Sequence, residues 1–285
     1  MTADFFNYHI NWKSRGIHPG QHKSDQRGMG IEFAGHSNLL DYPDPRRIDL
    51  RMTMRDPMDQ IYVRIFNQRS ATPVMIFSDL SASMMFGEQS GTKLIKAAEI
   101  ATIIKNSAFQ NSDAIGLAGF NDEIPEDWIA PLSYRPYHAE SLIDKMASYS
   151  PNSQSSDAIT RLHYLLPKDH TLIFLISDFH MPDKQIINFL NNTMKHTVVP
   201  IILWDKKEYS GLPKFGITTM TDPETNEETT VLIRKRLINK IIRSFTDRKK
   251  QLNKIFNRFD APPFFVDEKF NSELMTQYFN EFYHA

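Results

Sequence analysis

Cysteine is missing altogether from the 285 residues, which removes thiol catalysis, thiolate metal sites and disulfide bonds together. Also missing is any run of about 18 apolar residues that could cross a bilayer as a helix, so the chain is expected not to span a membrane. The first residues, Met1 to His9, show no basic segment followed by an apolar core, and the protein is therefore expected in the cytoplasm. Charge of one sign is lacking too. The 33 basic and 34 acidic side chains leave a formal net charge of −1, with no overall pull toward nucleic acid or an anionic surface. What remains is the composition of an ordinary globular protein, 41% hydrophobic, long enough for one large domain or two small ones.

Residues 1–70 differ from the rest. The stretch 13–30 is polar, carries Gly16, Gly20, Gly28 and Gly30, and reads as loop. A strand is expected over residues 61–66, and no core-sized apolar pattern accompanies it. Residues 1–70 are thus read as a non-globular extension with loops and an edge strand, packed on a domain made of residues 71–285. That domain alternates two patterns. Apolar strands are expected at 74–77, 114–120, 171–176 and 198–204, and helices at 92–107, 139–147, 157–166 and 183–195. Such alternation indicates an α/β fold with a doubly wound, mostly parallel sheet covered on both faces. Toward the C-terminus a hairpin is expected at 215–233, then a long helix at 234–258, a short strand and a final helix. The long helix is rich in Lys and Arg, with Asp247 as its one acid, and its bases read as a solvated face.

The most informative stretch is Val74, Met75, Ile76 and Phe77 followed by Ser78, Asp79, Leu80, Ser81, Ala82 and Ser83. An apolar run that stops abruptly in polar residues suits a strand buried in a parallel sheet. Asp79, Ser81 and Ser83 alternate, so a loop can turn their three oxygens to one place. Oxygen donors of this kind suit a hard ion such as Mg²⁺. The helix that follows would aim its N-terminus, which favours anions, at the same spot. Loops at the carboxyl ends of the strands gather in an open parallel sheet, and two later loops offer matching groups: Ser155 and Ser156, then Asp178 after a second apolar strand.

The order Asp-x-Ser-x-Ser, a hydroxyl loop and a later Asp resembles the metal-ion-dependent adhesion site of von Willebrand factor A domains. That resemblance implies a doubly wound sheet and Mg²⁺ (or Mn²⁺ or Ca²⁺) held by Asp79, Ser81, Ser83, Ser156 and Asp178. It also implies an open coordination position for a partner's carboxylate. The second-loop residue of such sites is usually Thr, and here Ser156 or Ser155 serves. The stretches around Gly28 to Phe33, Asp44 to Asp49, Tyr62 to Phe66, Met84 to Gly87 and Asp222 to Thr225 are similar to the bacterial branch called domain of unknown function 58. Its members are associated with MoxR-type AAA+ ATPases, some in the maturation of metalloenzymes such as methanol dehydrogenase. The resemblance therefore implies a metal-dependent adaptor or chaperone-like accessory that binds an acidic side chain of a client protein and catalyses nothing.

Enzyme readings have less behind them. Gly87 to Lys93 lies where a phosphate loop would, but the spacing of Gly87, Gly91 and Lys93 departs from Walker A. His180 lies near Asp178 without a nucleophile to activate. The alternative function is a metal-assisted phosphohydrolase using Asp79 and Asp178.

Overall fold

The computed structural model describes residues 5–15, 18–28, 32–87, 91–151, 155–205, 208, 216–221, 228–233, 235–267 and 269–283. The chain divides into two units, the smaller formed by His9–Thr72 and the larger by Met1–Tyr8 with Pro73–His284. In the smaller unit β1 (Pro19–Gly28), β2 (Glu32–Asn38) and β3 (Tyr62–Ser70) form an antiparallel sheet with β3 in the middle. The stretch expected as loop is therefore largely strand. Its glycine was misleading for a physical reason. A Cβ on Gly20 would lie 2.4 Å from the backbone nitrogen of Ala71, so glycine is there to allow close approach within the unit. The pairing of β1 with β3 is also irregular, with register shifts, which removes the simple alternation that marks a strand in sequence.

Between β2 and β3 lies a one-turn helix, α1 (Leu50–Thr53). Asp49 caps it by accepting from the N–H groups of Arg51 and Met52. The other oxygen of Asp49 takes Arg64 Nε at 2.8 Å and His36 Nε2 at 3.0 Å. These partners hold its carboxyl below the ordinary range, the Arg64 hydrogen bond most.

The larger unit carries the α/β fold. Among the described residues its main sheet has six strands, β4 (Pro73–Asp79), β5 (Ala114–Phe120), β6 (Ile129–Ser133), β7 (Leu172–Ser177), β8 (Thr197–Leu203) and β11 (Phe264–Val266), in the order β11-β8-β7-β4-β5-β6. All pairings are parallel except β5 with β6. Every residue of β5 and β7 is buried, which is why both read as unbroken apolar runs. The helices are α2 (Lys93–Gln110), α3 (Tyr137–Ala147), α4 (Asp183–Asn192), α5 (Lys235–Asn257) and α6 (Ser272–Phe282). The hairpin is β9 (Gly216–Thr221) paired with β10 (Glu228–Ile233), and its expected tip at 222–227 lies outside the described residues.

Alternate side chains of the sheet feed two layers. Met75, Phe77, Ile173 and Leu175 share a core with Phe189 of α4 and with Leu252 and Phe256 of α5. Phe174 meets Phe279 of α6 on the other face. One expectation needs correction. Asp157–Leu165 is a 3-10 helix where an α-helix was expected. The Ala158 amide is spent on Asn121 O and Ile159 N turns back to Ser156 O, so the tighter i+3 pattern starts the segment. The helix expected at 92–107 is α2, capped by Thr92, with a 3-10 turn, Ala82–Met85, between it and the Asp79 loop.

The first described residues belong to the α/β unit. Phe6 is 2% exposed, lies flat on Phe279 at 5.8 Å and edge-on to Phe174 at 6.0 Å. Its N–H donates to Ser107 Oγ of α2. Phe6→Ala is expected to lower the unfolding free energy by about 3–5 kcal/mol, the usual cost of emptying a buried aromatic site. Urea denaturation of the two proteins measures this, and a loss below about 1 kcal/mol would mean that Phe6 is not part of the core.

Candidate metal centre

Strands β4 and β7 are parallel neighbours, paired from Val74 with Leu172 to Ser78 with Ile176. From β4 the chain winds outward to β5 and β6, then crosses back to β7 and winds the other way to β8 and β11. The carboxyl ends of β4 and β7 therefore flank the point where winding reverses, the usual ligand crevice of an open α/β sheet. Asp79 ends one strand and Asp178 follows the other, so topology alone brings the two carboxylates together.

Asp79 is fully buried. Its Oδ1 accepts from Ser81 N at 2.9 Å. Ser156 Oγ lies 3.0 Å from both carboxylate oxygens, and Ser177 Oγ donates to Oδ2 at 2.7 Å. Ser81 Oγ and Ser83 Oγ are 3.1 Å apart, and Ser83 is among the groups that lower the Asp178 pKa. Asp79, Ser81, Ser83 and Ser156 are thus joined in one hydrogen-bonded set, and the Asp178 carboxylate lies beside it, its charge acting on Asp79. Of the two second-loop candidates, Ser156 is the one whose hydroxyl meets Asp79.

The sequence reading missed two members. Ser177 is one, legible only as the lone hydroxyl at the end of an apolar strand. The other is Lys93, the first residue of α2. Its side chain is 1% exposed, and its ammonium lies 2.9 Å from Asp178 Oδ2 while also pairing with Glu208. A lysine so buried demands counter-charges, and both are far away in sequence. The neighbouring turn of α2 is tied to the same loop, since Lys96 pairs with Asp205 at 3.1 Å. On the other side, Trp204 Nε1 donates to Asp178 O at 2.9 Å, and the His180 ring lies parallel to the indole at 6.4 Å.

These surroundings drive the two carboxyls apart. Burial raises the Asp79 pKa and the charge of Asp178 raises it further. Hydrogen bonds from Ser177 and Ser81 offset this only partly, leaving it at about 6. Burial also pushes Asp178 up, but the charges of Lys93 and His180 outweigh it and hold its carboxyl below the ordinary range. Lys93 in turn is raised: burial lowers it, and the charges of Asp178 and Glu208 more than compensate.

Among the described residues no group of three or more His, Asp or Glu is arranged to hold a metal ion. The donor set here is of another kind, two carboxylates with serine hydroxyls. A hydroxyl that gives its hydrogen to Asp79 keeps lone pairs for a cation, so these residues fit a hard divalent ion with oxygen ligands. Around them, Met85 and Phe86 are exposed at 39% and 43%. Gly87 follows with φ +129°, and a Cβ there would lie 2.8 Å from Gly91 O, so the turn beyond Phe86 requires glycine.

The profile of a family described as "Protein of unknown function DUF58" matches residues 43–251. No functionally curated protein matches the chain. Similar solved structures include the conserved hypothetical protein BatB from Bacteroides thetaiotaomicron, 13% identical, covering 74% of this chain and 98% of that one, with a TM-score of 0.47. An aerotolerance-related membrane protein from Bacteroides fragilis is also 13% identical over the same shares, with a TM-score of 0.45. The pilus adhesin SpaC from Lactobacillus rhamnosus GG is 11% identical, covering 75% of this chain and 30% of that one, with a TM-score of 0.41.

Lys93→Met is expected to destabilise the fold by about 3–5 kcal/mol at neutral pH, because it leaves Asp178 and Glu208 charged without their partner. In the wild type the depressed pKa of Asp178 contributes stability above the ordinary carboxylate pKa that is lost as pH falls through it. Without Lys93 the largest opposing charge is gone and burial is countered chiefly by His180, so the Asp178 pKa lies above its wild-type value and the variant loses less stability on acidification. The gap between the proteins should narrow as the pH falls into the ordinary carboxylate range, about 4. Denaturation at several pH values reads this, and a gap that widens on acidification would contradict the assignment.

Proposed function

The chain belongs to the DUF58 family, and from that premise and the geometry above we propose that it is a protein-binding module whose site holds a divalent cation, Mg²⁺ in the first instance. The observation that carries this reading is the hydrogen-bonded set of Asp79, Ser81, Ser83 and Ser156 at the crevice of the sheet, with the Asp178 carboxylate close enough to raise the Asp79 pKa by its charge. Bound there, the ion supplies an electrophilic position for a carboxylate of a partner protein. The chain's own residues do the rest. Asp79 holds the first two loops in register by binding Ser81 N and Ser156 Oγ at once. Lys93 and Glu208 anchor the loop after β8 beside Asp178. The exposed Met85 and Phe86 offer apolar contact area next to the polar centre, as a partner surface needs.

The finer reading is an adaptor or chaperone-like accessory of a MoxR-type AAA+ ATPase, acting on a client with an acidic side chain, such as a metalloenzyme in maturation. Binding without catalysis is supported by the state of Asp79. Its two oxygens are occupied by hydroxyl and amide donors and it has no exposed surface, so it is not poised as a nucleophile. No helix among the described residues is long and apolar enough to cross a membrane.

Calorimetric titration with MgCl₂ tests the centre. Asp79→Ala is expected to abolish binding in a folded protein, Ser156→Ala to weaken it and Ser156→Thr to preserve it. Ser155→Ala should leave it close to wild type. Equal affinity in wild type and Asp79→Ala removes the site, and a larger effect at Ser155 than at Ser156 shifts the second loop by one residue. Capture of an ATPase and a client from cell extract should be lost in EDTA. Metal-dependent turnover of a generic phosphomonoester, abolished by Asp79→Ala, would favour the phosphohydrolase instead.

A further inference from the structure

Phe179, next to Asp178, has φ +52°. A bulky residue in the left-handed region is strained and stays there only if its surroundings impose it. Those surroundings come from α5. The Phe179 ring is fully buried and packs edge-on against Phe256 at 5.1 Å. Its carbonyl accepts from Arg248 Nη2 at 2.7 Å, and the same nitrogen reaches Met181 O at 2.7 Å. The other arm of that guanidinium pairs with Asp183 at the start of α4, which Gln251 also reaches. One planar fork on α5 therefore grips three points of the turn after Asp178.

The turn leads directly to the centre. Phe179 N donates to Ser177 Oγ at 3.0 Å, and that hydroxyl donates to Asp79 Oδ2 at 2.7 Å. If Phe179 relaxes to negative φ, its peptide turns, Ser177 loses this donor and the Asp178 carboxylate is aimed elsewhere. We propose that Arg248 and Phe256 are positioning residues that hold Phe179 in the left-handed conformation, so that cation affinity at Asp79 and Asp178 depends on the docking of α5. The inference rests on the cation-binding reading above. Linkage makes the dependence mutual: a bound cation secures α5, and a partner that draws α5 away releases the cation. It also gives the basic helix a part that a solvated face lacks, because Arg248 differs from its exposed neighbours Arg243 and Lys250.

Electrostatics and positioning predict opposite signs for one substitution. Removing the Arg248 charge near the centre should by Coulomb attraction alone tighten a divalent cation. Loss of positioning should weaken it, by about tenfold or more, as for other residues that orient metal ligands. The full chain with Arg248→Met, Arg248→Lys and the control Lys250→Met is titrated with MgCl₂ by calorimetry. Amide hydrogen exchange is followed at 177–181 in the metal-free proteins. The expected result is weaker Mg²⁺ binding and faster exchange at Phe179 and His180 in Arg248→Met, with Lys250→Met unchanged. Should Arg248→Met fail to fold, Arg248→Lys carries the same test, since an ammonium cannot span the carbonyls and Asp183 together. Mg²⁺ affinity equal to or tighter than wild type in a folded Arg248 variant overturns the proposal. If the wild type itself binds no Mg²⁺, the cation-binding reading falls, and the positioning role is then decided by exchange alone: unchanged protection of the Phe179 amide overturns it.

Discussion

A single buried carboxylate organises the crevice. Asp79 has no contact with solvent, and its two oxygens gather a backbone amide from its own loop, a hydroxyl from the loop before Asp157 and a hydroxyl from β7. A buried charge is tolerated only when such donors surround it. The requirement works in both directions. Asp79 needs the three segments where they are, and those segments, otherwise separate pieces of chain at the strand ends, have a common point to converge on. The reversal of winding between β4 and β7 supplies the space in which this happens.

The second carboxylate is treated differently, and the contrast gives the centre its character. Asp178 has a permanent cation against it in Lys93, which Glu208 shares, whereas Asp79 has only neutral donors. One carboxyl is thus held ionised while the other rises to about 6. Two acids side by side would repel strongly; the lysine absorbs much of that repulsion and leaves a pocket of moderate negative charge. The proposed cation would meet several neutral hydroxyl oxygens and few charges there.

How much of this could be read from sequence depends on how local the signal is. Strand β5 could be placed to the residue because a strand covered on both faces is apolar throughout. Asp79, Ser81 and Ser83 lie within five residues, so their spacing already speaks of a shared focus. Lys93 was invisible because its meaning comes from Asp178 and Glu208, which only the fold brings to it. At the front of an apolar helix a lysine usually points to water, and nothing nearby in sequence says otherwise. Strands β1 and β2 were hidden for another reason. Their glycines and bulged register erase alternation, and glycine chosen for close approach looks the same in a sequence as glycine chosen for a turn.

The position of Phe6 has a bearing on how the chain is made. Its partners include Phe174 and Phe279, so the residue that completes this aromatic layer is synthesised before nearly everything it packs on. At ordinary translation speeds of roughly 5–20 residues per second, Phe6 stays without Phe279 for on the order of ten seconds or more, while the unit at His9–Thr72 has all its own residues early. The layer under α6 can close only once Phe279 has been made. A chain cut short before Ser272 holds every residue of the candidate centre and still carries an open apolar face where α6 would lie.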